Sequence, residues 1–275
     1  MKVETFAPAK INLTLHVTGQ REDGYHLLDS LVVFADVGDW VAAEAADDLS
    51  LTVNGPFAVD TPTDDGNSVM RAAKLMGATA ALSLTKNIPV AAGAGGGSSD
   101  AAATLFALAE MTGKPVPRDQ AINLGADVPV CMRATRTRML GVGDVLDHAP
   151  HIPKLFAVLA NPGVTLATAD VFAKLSQSDN APMPEEIADF ESVESAADWL
   201  SSQRNDLEAP AISLQPAIAD VLTALRGSDG CLLARMSGSG ATCFGLYLNL
   251  EAASRAAAAI SAAQPDWWVA PTRLS

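Results

Sequence analysis

The sequence predicts an α+β protein of two domains, and three observations carry that expectation. Apolar runs with strand-like alternation are interleaved with alanine-rich helical runs along all 275 residues. A glycine-rich run leads straight from one such strand into one such helix. A proline-broken stretch, Ala149-Pro150-His151-Ile152-Pro153, makes the best boundary, so residues 1–150 and 151–275 read as the two domains. The chain is long enough for both to bury a core.

Taken in order, Thr5-Phe6-Ala7-Pro8-Ala9-Lys10 leads into Ile11 to Val17, whose alternation predicts a strand with one buried face and Lys10 at its entrance. Gln20 to His26 is a polar turn containing Asp23-Gly24, and Leu27 to Phe34 completes a hairpin-like pair. More strand is expected in Asp39 to Val53, then a helix from Ser68 to about Ala81. Leu82 to Thr85 reads as the strand before the glycines and Ala101 to Met111 as the helix after them. A short helix near Asp119 to Leu124 ends at Gly125, and Leu140 to Leu146 reads as a strand and turn. Beyond the boundary, strands are expected at Lys154 to Leu159, Cys231 to Met236 and Cys243 to Leu248. Helices are expected at Ala169 to Leu175, Ser192 to Ser201, Pro216 to Leu225 and Glu251 to Ala263, with a polar loop over Ser176 to Glu186. Trp267 and Trp268 read as aromatics packing a terminal strand.

Composition narrows the function classes. Apolar residues at 49% and charged residues at 18% describe an ordinary globular protein. A net charge of -14 argues against a nucleic-acid partner, since phosphate backbones are held by clustered Lys and Arg. Cys131, Cys231 and Cys243 are odd in number and lack metal-type spacing, which fits reduced thiols in the cytoplasm. The first residues show no apolar signal segment, and no run approaches the roughly 18 apolar residues of a membrane span. No membrane partner is expected.

The stretch Pro89-Val90-Ala91-Ala92-Gly93-Ala94-Gly95-Gly96-Gly97-Ser98-Ser99 is the candidate phosphate cradle. Its glycines remove the Cβ atoms that would hold a polyanion off the backbone, and the following helix start offers unpaired N–H groups. A Gly/Ser run can also be a flexible linker, but linkers rarely join a strand to a capped helix. A Walker A loop is ruled out because Gly97 is followed by Ser98 and no lysine stands between Lys86 and Lys114. The dinucleotide fingerprint fails as well, with Ser98 where its third glycine belongs.

A phosphate loop without its own lysine needs a cation from elsewhere, either a metal or a distant side chain. Lys10, in an apolar setting, is the best candidate, although such a residue can simply lie on the surface. Asp127 is a lone charge among Gly125, Ala126, Val128 and Pro129 and is the carboxylate chosen as base; the alternative is a helix-capping or loop aspartate. Ser237-Gly238-Ser239-Gly240 reads as a second close-approach loop or as a tight turn between strands. Tyr25 offers a ring for stacking and His26 a switchable donor and acceptor, or both are plain turn residues. The four histidines fall in no hydrolase pattern with Ser98.

Together, Pro8-Ala9-Lys10-Ile11-Asn12-Leu13, the loop Gly93 to Ala102, and Gly238-Ser239-Gly240-Ala241-Thr242 resemble, in order and spacing, the three motifs of the GHMP small-molecule kinases. Gly19-Gln20-Arg21-Glu22-Asp23-Gly24-Tyr25-His26 and Gly125-Ala126-Asp127-Val128-Pro129 narrow the resemblance to the branch acting on a cytidine-diphosphate-linked sugar alcohol. They separate it from the mevalonate, homoserine and galactose kinases. The resemblance implies a two-domain GHMP kinase fold with the active site in the cleft between domains, and a chain that is a monomer or weak homodimer. It implies ATP in the glycine loop, Mg²⁺ carried with ATP and no dedicated metal site. Phosphoryl transfer would then be direct, with Asp127 as base and Lys10 holding Asp127 and the nucleophile. For the substrate it implies Tyr25 against the cytosine, His26 on its hydrogen-bonding edge, Phe172 on the opposite face, Asn12 near the alcohol and Gly238 and Ser239 in the second loop. Ala91, Ala92 and Ala94 depart from the glycines and leucine many members carry there. Another kinase of the family, or a non-catalytic relative, remains the alternative.

Overall fold

The structure is a computed structural model and describes residues 2–90 and 92–275; Ala91, named above in the phosphate loop, lies outside the described residues. The chain forms β1 (Lys2–Asn12), β2 (His16–Gln20), β3 (His26–Ala45), β4 (Ser50–Asn54), α1 (Ser68–Leu75), β5 (Ala80–Thr85) and α2 (Gly96–Thr112). A 3-10 turn over Arg118–Leu124 precedes α3 (Val128–Arg133), β6 (Thr137–Gly141), β7 (Val145–Asp147), β8 (Leu155–Asn161), α4 (Thr168–Ala173) and α5 (Val193–Ser201). The remainder is α6 (Glu208–Leu214), α7 (Ala217–Arg226), β9 (Leu233–Met236), β10 (Cys243–Tyr247), α8 (Leu250–Ala263) and β11 (Trp268–Leu274).

These elements gather into two compact units, each made of three chain stretches. The first is Met1–Lys10, Val37–Val90 and Gly95–Ala134; the second is Ile11–Asp36, Ala91–Ala94 and Thr135–Ser275.

In the first unit β5 lies between β4, which it pairs with in parallel, and the second half of β3, antiparallel from Trp40↔Thr85 to Ala45↔Ala80. The start of β1 pairs with β3, and Gly38 permits it: a Cβ there would stand 2.2 Å from the Ala7 carbonyl oxygen. Helix α2 buries Ala101, Ala102, Leu105 and Leu108; none is β-branched, which suits a helix, and the alanines let it approach its neighbours closely.

In the second unit the first half of β3 pairs with β2 and β6, and the strand order continues β3-β11-β8-β10-β9. Val158 and Ala160 of β8 join Val221, Leu222 and Leu225 of α7 and Ala253, Ala257 and Ile260 of α8 in its core. The Ser176 to Glu186 segment is irregular, as expected, but it is strapped down. Arg138 donates to both carboxylate oxygens of Asp29 at 2.8 and 2.7 Å and to the carbonyls of Pro184 and Glu185 at 2.9 Å.

Several expectations are corrected. Ile11 to Val17 is not one half-buried strand: β1 ends at Asn12, β2 starts at His16, and every residue from Ala9 to Val17 is buried. The polar members of the alternation are satisfied inside the fold, Thr14 Oγ1 accepting the Leu31 N–H at 2.9 Å and Asn12 Nδ2 donating to Ser30 Oγ at 2.7 Å. Lys10 therefore sits near the end of a strand rather than at its entrance. Helix α1 stops at Leu75 because Ala80 onward is claimed by β3 and β4, a case of sheet pairing overriding helical pattern. Helix α6 was missed, its pattern masked by Pro210, which the first turn of a helix tolerates.

Candidate active site

Helix α2 starts at Gly96, earlier than the Ala101 the composition suggests, because Gly95 takes a left-handed conformation at φ 64° and turns the chain into the helix. The first ladder bond runs from the Ser99 N–H to the Gly95 carbonyl at 2.9 Å, so the amides of Gly96, Gly97 and Ser98 precede the ladder. No side chain caps them and no acid stands in the first turn, which leaves the positive end of the helix dipole available to an anion. The Ser99 hydroxyl is spent on the Pro8 carbonyl at 2.7 Å; Ser98, half-buried, is the hydroxyl left.

Lys10 lies against this loop. A Cβ on Gly95 would meet Lys10 Cβ at 2.8 Å and Cε at 3.3 Å, so any other residue here would displace the lysine stem. Its ammonium donates to Asp127 Oδ2 at 2.6 Å across 117 residues of sequence. Asp127 occupies the N-cap position of α3 but its side chain makes no capping bond; it faces Lys10 instead, so the capping alternative fails. The Lys10 side chain is 5% exposed and that of Asp127 34%, which makes the carboxylate the accessible member. Burial pushes the neighbouring Cys131 thiol up to about 12, which keeps it protonated at neutral pH.

A second cluster under the same helix was not anticipated. Lys86 hydrogen-bonds Asp39 and donates to Asp100 Oδ2 at 2.8 Å, all three side chains being buried. Asp39 Oδ1 accepts the N–H groups of Asn87 and Ile88 at 2.6 and 3.0 Å, fixing the turn that leaves β5. The Lys86 ammonium would stand 3.0 Å from a Cβ on Gly96, so it supports the first turn of α2 from inside. Burial raises the Asp100 carboxyl to about 7, against the pull of Lys86 and with a further push from Asp39. The sequence signal was weak: Asp39 stands before the apolar Trp40 to Ala43 but only three residues after Asp36, and Lys86 lies between Thr85 and Asn87.

In the second unit, Gly93 fits under the loop after β9: a Cβ would meet the carbonyl oxygens of Gly240 and Ser237 at 2.6 Å each. The Thr242 N–H donates to the Ala92 carbonyl at 2.9 Å. Pro89, Ala92 and Ala94 are buried, whereas Val90 and Gly97 are exposed. Asn12 is held by its N–H on Ser237 Oγ at 3.0 Å and by Nδ2 on Ser30 Oγ. Ser30 gives its own proton to the Thr14 carbonyl at 2.5 Å, so it must accept from Asn12, and this orients the amide. Asn12 Oδ1 is then a buried acceptor without a donor among the described residues, close to Gly238. Ser239 Oγ shares a 2.8 Å hydrogen bond with Thr168. His26 and Phe172 stack on each other at 4.7 Å between ring centroids, and Tyr25 is 63% exposed. Burial lowers the His26 pKa, which keeps one ring nitrogen a donor and the other an acceptor at neutral pH.

An open helix N-terminus beside a lysine-held carboxylate is the equipment of a phosphotransferase. The family model for the GHMP kinases N terminal domain matches residues 67–146 and that for the GHMP kinases C terminal matches residues 185–266. A 4-diphosphocytidyl-2-C-methyl-D-erythritol kinase of Cereibacter sphaeroides is 56% identical over 275 residues, covering 99% of each chain. One of Ruegeria pomeroyi is 53% identical over 279 residues and covers all of both. The crystal structure of a 4-(cytidine 5'-diphospho)-2C-methyl-D-erythritol kinase superposes with a TM-score of 0.77 at 33% identity over 99% of each chain. A homoserine kinase from Cytophaga hutchinsonii shares the fold with a TM-score of 0.63 at 18% identity, over 98% of this chain and 94% of its own. This chain belongs to the GHMP kinases and, within them, to the family of 4-diphosphocytidyl-2-C-methyl-D-erythritol kinases.

Proposed function

We propose that this small-molecule kinase transfers the γ-phosphoryl group of ATP to the 2-hydroxyl of 4-diphosphocytidyl-2-C-methyl-D-erythritol, a step of non-mevalonate isoprenoid precursor biosynthesis. The observation that carries this reading is the 2.6 Å contact of Lys10 with Asp127, set against Gly95 at the open end of α2. In the reading, Asp127 accepts the proton of the 2-hydroxyl as its oxygen attacks the γ-phosphorus, and the bond to the bridging oxygen breaks to release ADP. Lys10 orients the carboxylate and offsets charge at the nucleophile. The amides of Gly96, Gly97 and Ser98 receive the phosphates, with the Ser98 hydroxyl beside the Mg²⁺ that arrives with ATP.

The second unit takes the rest of the substrate. Asn12 Oδ1 is suited to a substrate hydroxyl, since its buried lone pairs otherwise go unmet. The neutral His26 ring matches the donor and acceptor edge of cytosine, with Tyr25 and Phe172 supplying ring faces and Gly238 and Ser239 the second loop. As functional domains, residues 1–150 carry the ATP side and 151–275 the substrate side, apart from Asn12, Tyr25 and His26; the two family matches, ending at 146 and starting at 185, support that division. Among the described residues no helix is long and apolar enough to cross a membrane. A cytoplasmic enzyme, monomeric or weakly dimeric and without nucleic-acid partners, completes the reading.

Purified protein with Mg-ATP is expected to release ADP when given 4-diphosphocytidyl-2-C-methyl-D-erythritol and not when given mevalonate, homoserine or galactose. The reverse pattern overturns the assignment and leaves a different kinase of the family.

A further inference from the structure

The second unit carries an open pocket of about 540 Å³ whose charge runs against that of the chain. Arg204, Arg226 and Arg235 line it with Glu208 as the single acid of the lining, in a protein of net charge -14. Even counting Asp206, which holds Arg204 Nε at 2.6 Å, the cations outnumber the nearby carboxylates by one.

Arg235, on β9, is only 6% exposed. Its guanidinium donates to the backbone carbonyls of Leu13, Leu200 and Gln203 at 2.9, 2.7 and 2.7 Å, all of them neutral acceptors. A buried cation held by dipoles alone lacks a counter-ion. Consistent with that, burial lowers Arg235 to about 10, with only partial compensation from Glu208.

Glu208 cannot neutralise the group by itself. One of its oxygens accepts the Met236 N–H at 2.9 Å, and the other stands 3.6 Å from Arg226 Nη2, beyond a hydrogen bond. Arg226 ends α7 with a side chain 56% exposed. The pocket wall is rigid, because Asn205 Nδ2 donates to the carbonyls of Met236 and Gly238 at 2.8 Å each. That same wall supports the loop carrying Gly238 and Ser239.

We propose that this pocket binds a small phosphate-bearing anion, with Arg226 and Arg235 as its cations, as a site built of different residues from the glycine loop. The Arg226 guanidinium, 56% exposed and making no hydrogen bond to Glu208, can meet phosphate oxygens directly, Arg235 adds its buried charge from behind although its Nη1 and Nη2 are engaged by carbonyls, and the pocket has room for a diphosphate or a phosphate ester. Because Asn205 and Glu208 belong both to the wall and to the support of the Gly238 loop, an occupant would be felt by that loop.

The test is calorimetric titration of the full chain with inorganic diphosphate, Mg²⁺ being in excess and the glycine loop filled by a non-hydrolysable ATP analogue. Arg235 also caps the carbonyl end of α5, so its loss can unfold the chain; Arg226 has no such bond and is the variant of choice. One equivalent of diphosphate is expected to bind, about tenfold or more weakly in Arg226→Glu and with partial recovery in Arg226→Lys, a cooperative melting transition above the assay temperature showing that both variants are folded. Inorganic phosphate titrated in parallel distinguishes a single phosphoryl group from a diphosphate as the preferred ligand. Absence of binding by both anions, or diphosphate binding that Arg226→Glu leaves intact, overturns the proposal.

Discussion

Two lysine–aspartate clusters flank the amino end of α2, built from the same side chains and divided by their access to water. Lys10 and Asp127 leave a carboxylate 34% exposed, whereas Lys86, Asp39 and Asp100 are 4%, 0% and 3% exposed. The chemical groups do not tell them apart. A reachable carboxylate can exchange a proton with a bound hydroxyl, while a sealed cluster can only hold strands and helix together and must satisfy its own charges. The sealed cluster does this only in part, with two acids on one lysine: Asp100 Oδ1 has no hydrogen-bond partner among the described residues, and burial leaves Asp100 holding its proton up to about 7.

The comparison breaks most sharply at Lys86. Lys86→Met leaves two buried carboxylates facing each other, and the loss of stability should be roughly 3–5 kcal/mol, the usual cost of removing one partner of a buried pair. Denaturant titration reads it directly; a near-wild-type midpoint would mean that the cluster contributes little. Asp127→Asn should act oppositely, reducing kcat by at least ~100-fold while ATP affinity and melting temperature stay close to wild type. Near-full activity in that variant removes Asp127 from the mechanism.

The smallest effect is expected at Asp100. Its carboxyl keeps a proton to about 7 in the folded chain against 3.8 for the free group, so between those values the folded state binds more protons and stability falls as pH rises. Asp100→Asn removes that contribution, and the decline in melting temperature from pH 4 to 7 should flatten. An unchanged slope would mean that Asp100 is ionised throughout and that Lys86 fully offsets its burial.

Much of the site was legible because its residues are anomalies in their local setting. Four glycines between a strand and a helix, a lysine in an apolar run and an aspartate beside Gly125 and Pro129 each break the pattern around them. Asn12 was harder, since its alternation with Ile11 and Leu13 reads as a solvent-facing position and only Ser30 and Ser237 make it an interior one. Asp39 and Lys86 show the same limit. Asp39 is one of several acids along β3, Lys86 follows the end of β5, and nothing in the 47 positions that separate them says that they meet. The long β3 strand is a further case, as its two halves serve different units and the chain divides into interleaved stretches.

By itself the sequence determined the family and offered the candidate phosphate loop and, through the resemblance, the expected pairing of Asp127 with Lys10, because these depend on residue type and on spacing along the chain. The tertiary structure alone decided that Lys86 meets Asp39 and Asp100, and which of the two clusters stays accessible. Lys10 could in principle pair with any aspartate. Gly95, with no Cβ to displace the Lys10 stem, and the turn into α3, where Asp127 makes no capping bond to its own helix, leave Asp127 as the carboxylate that accepts the hydrogen bond of its ammonium.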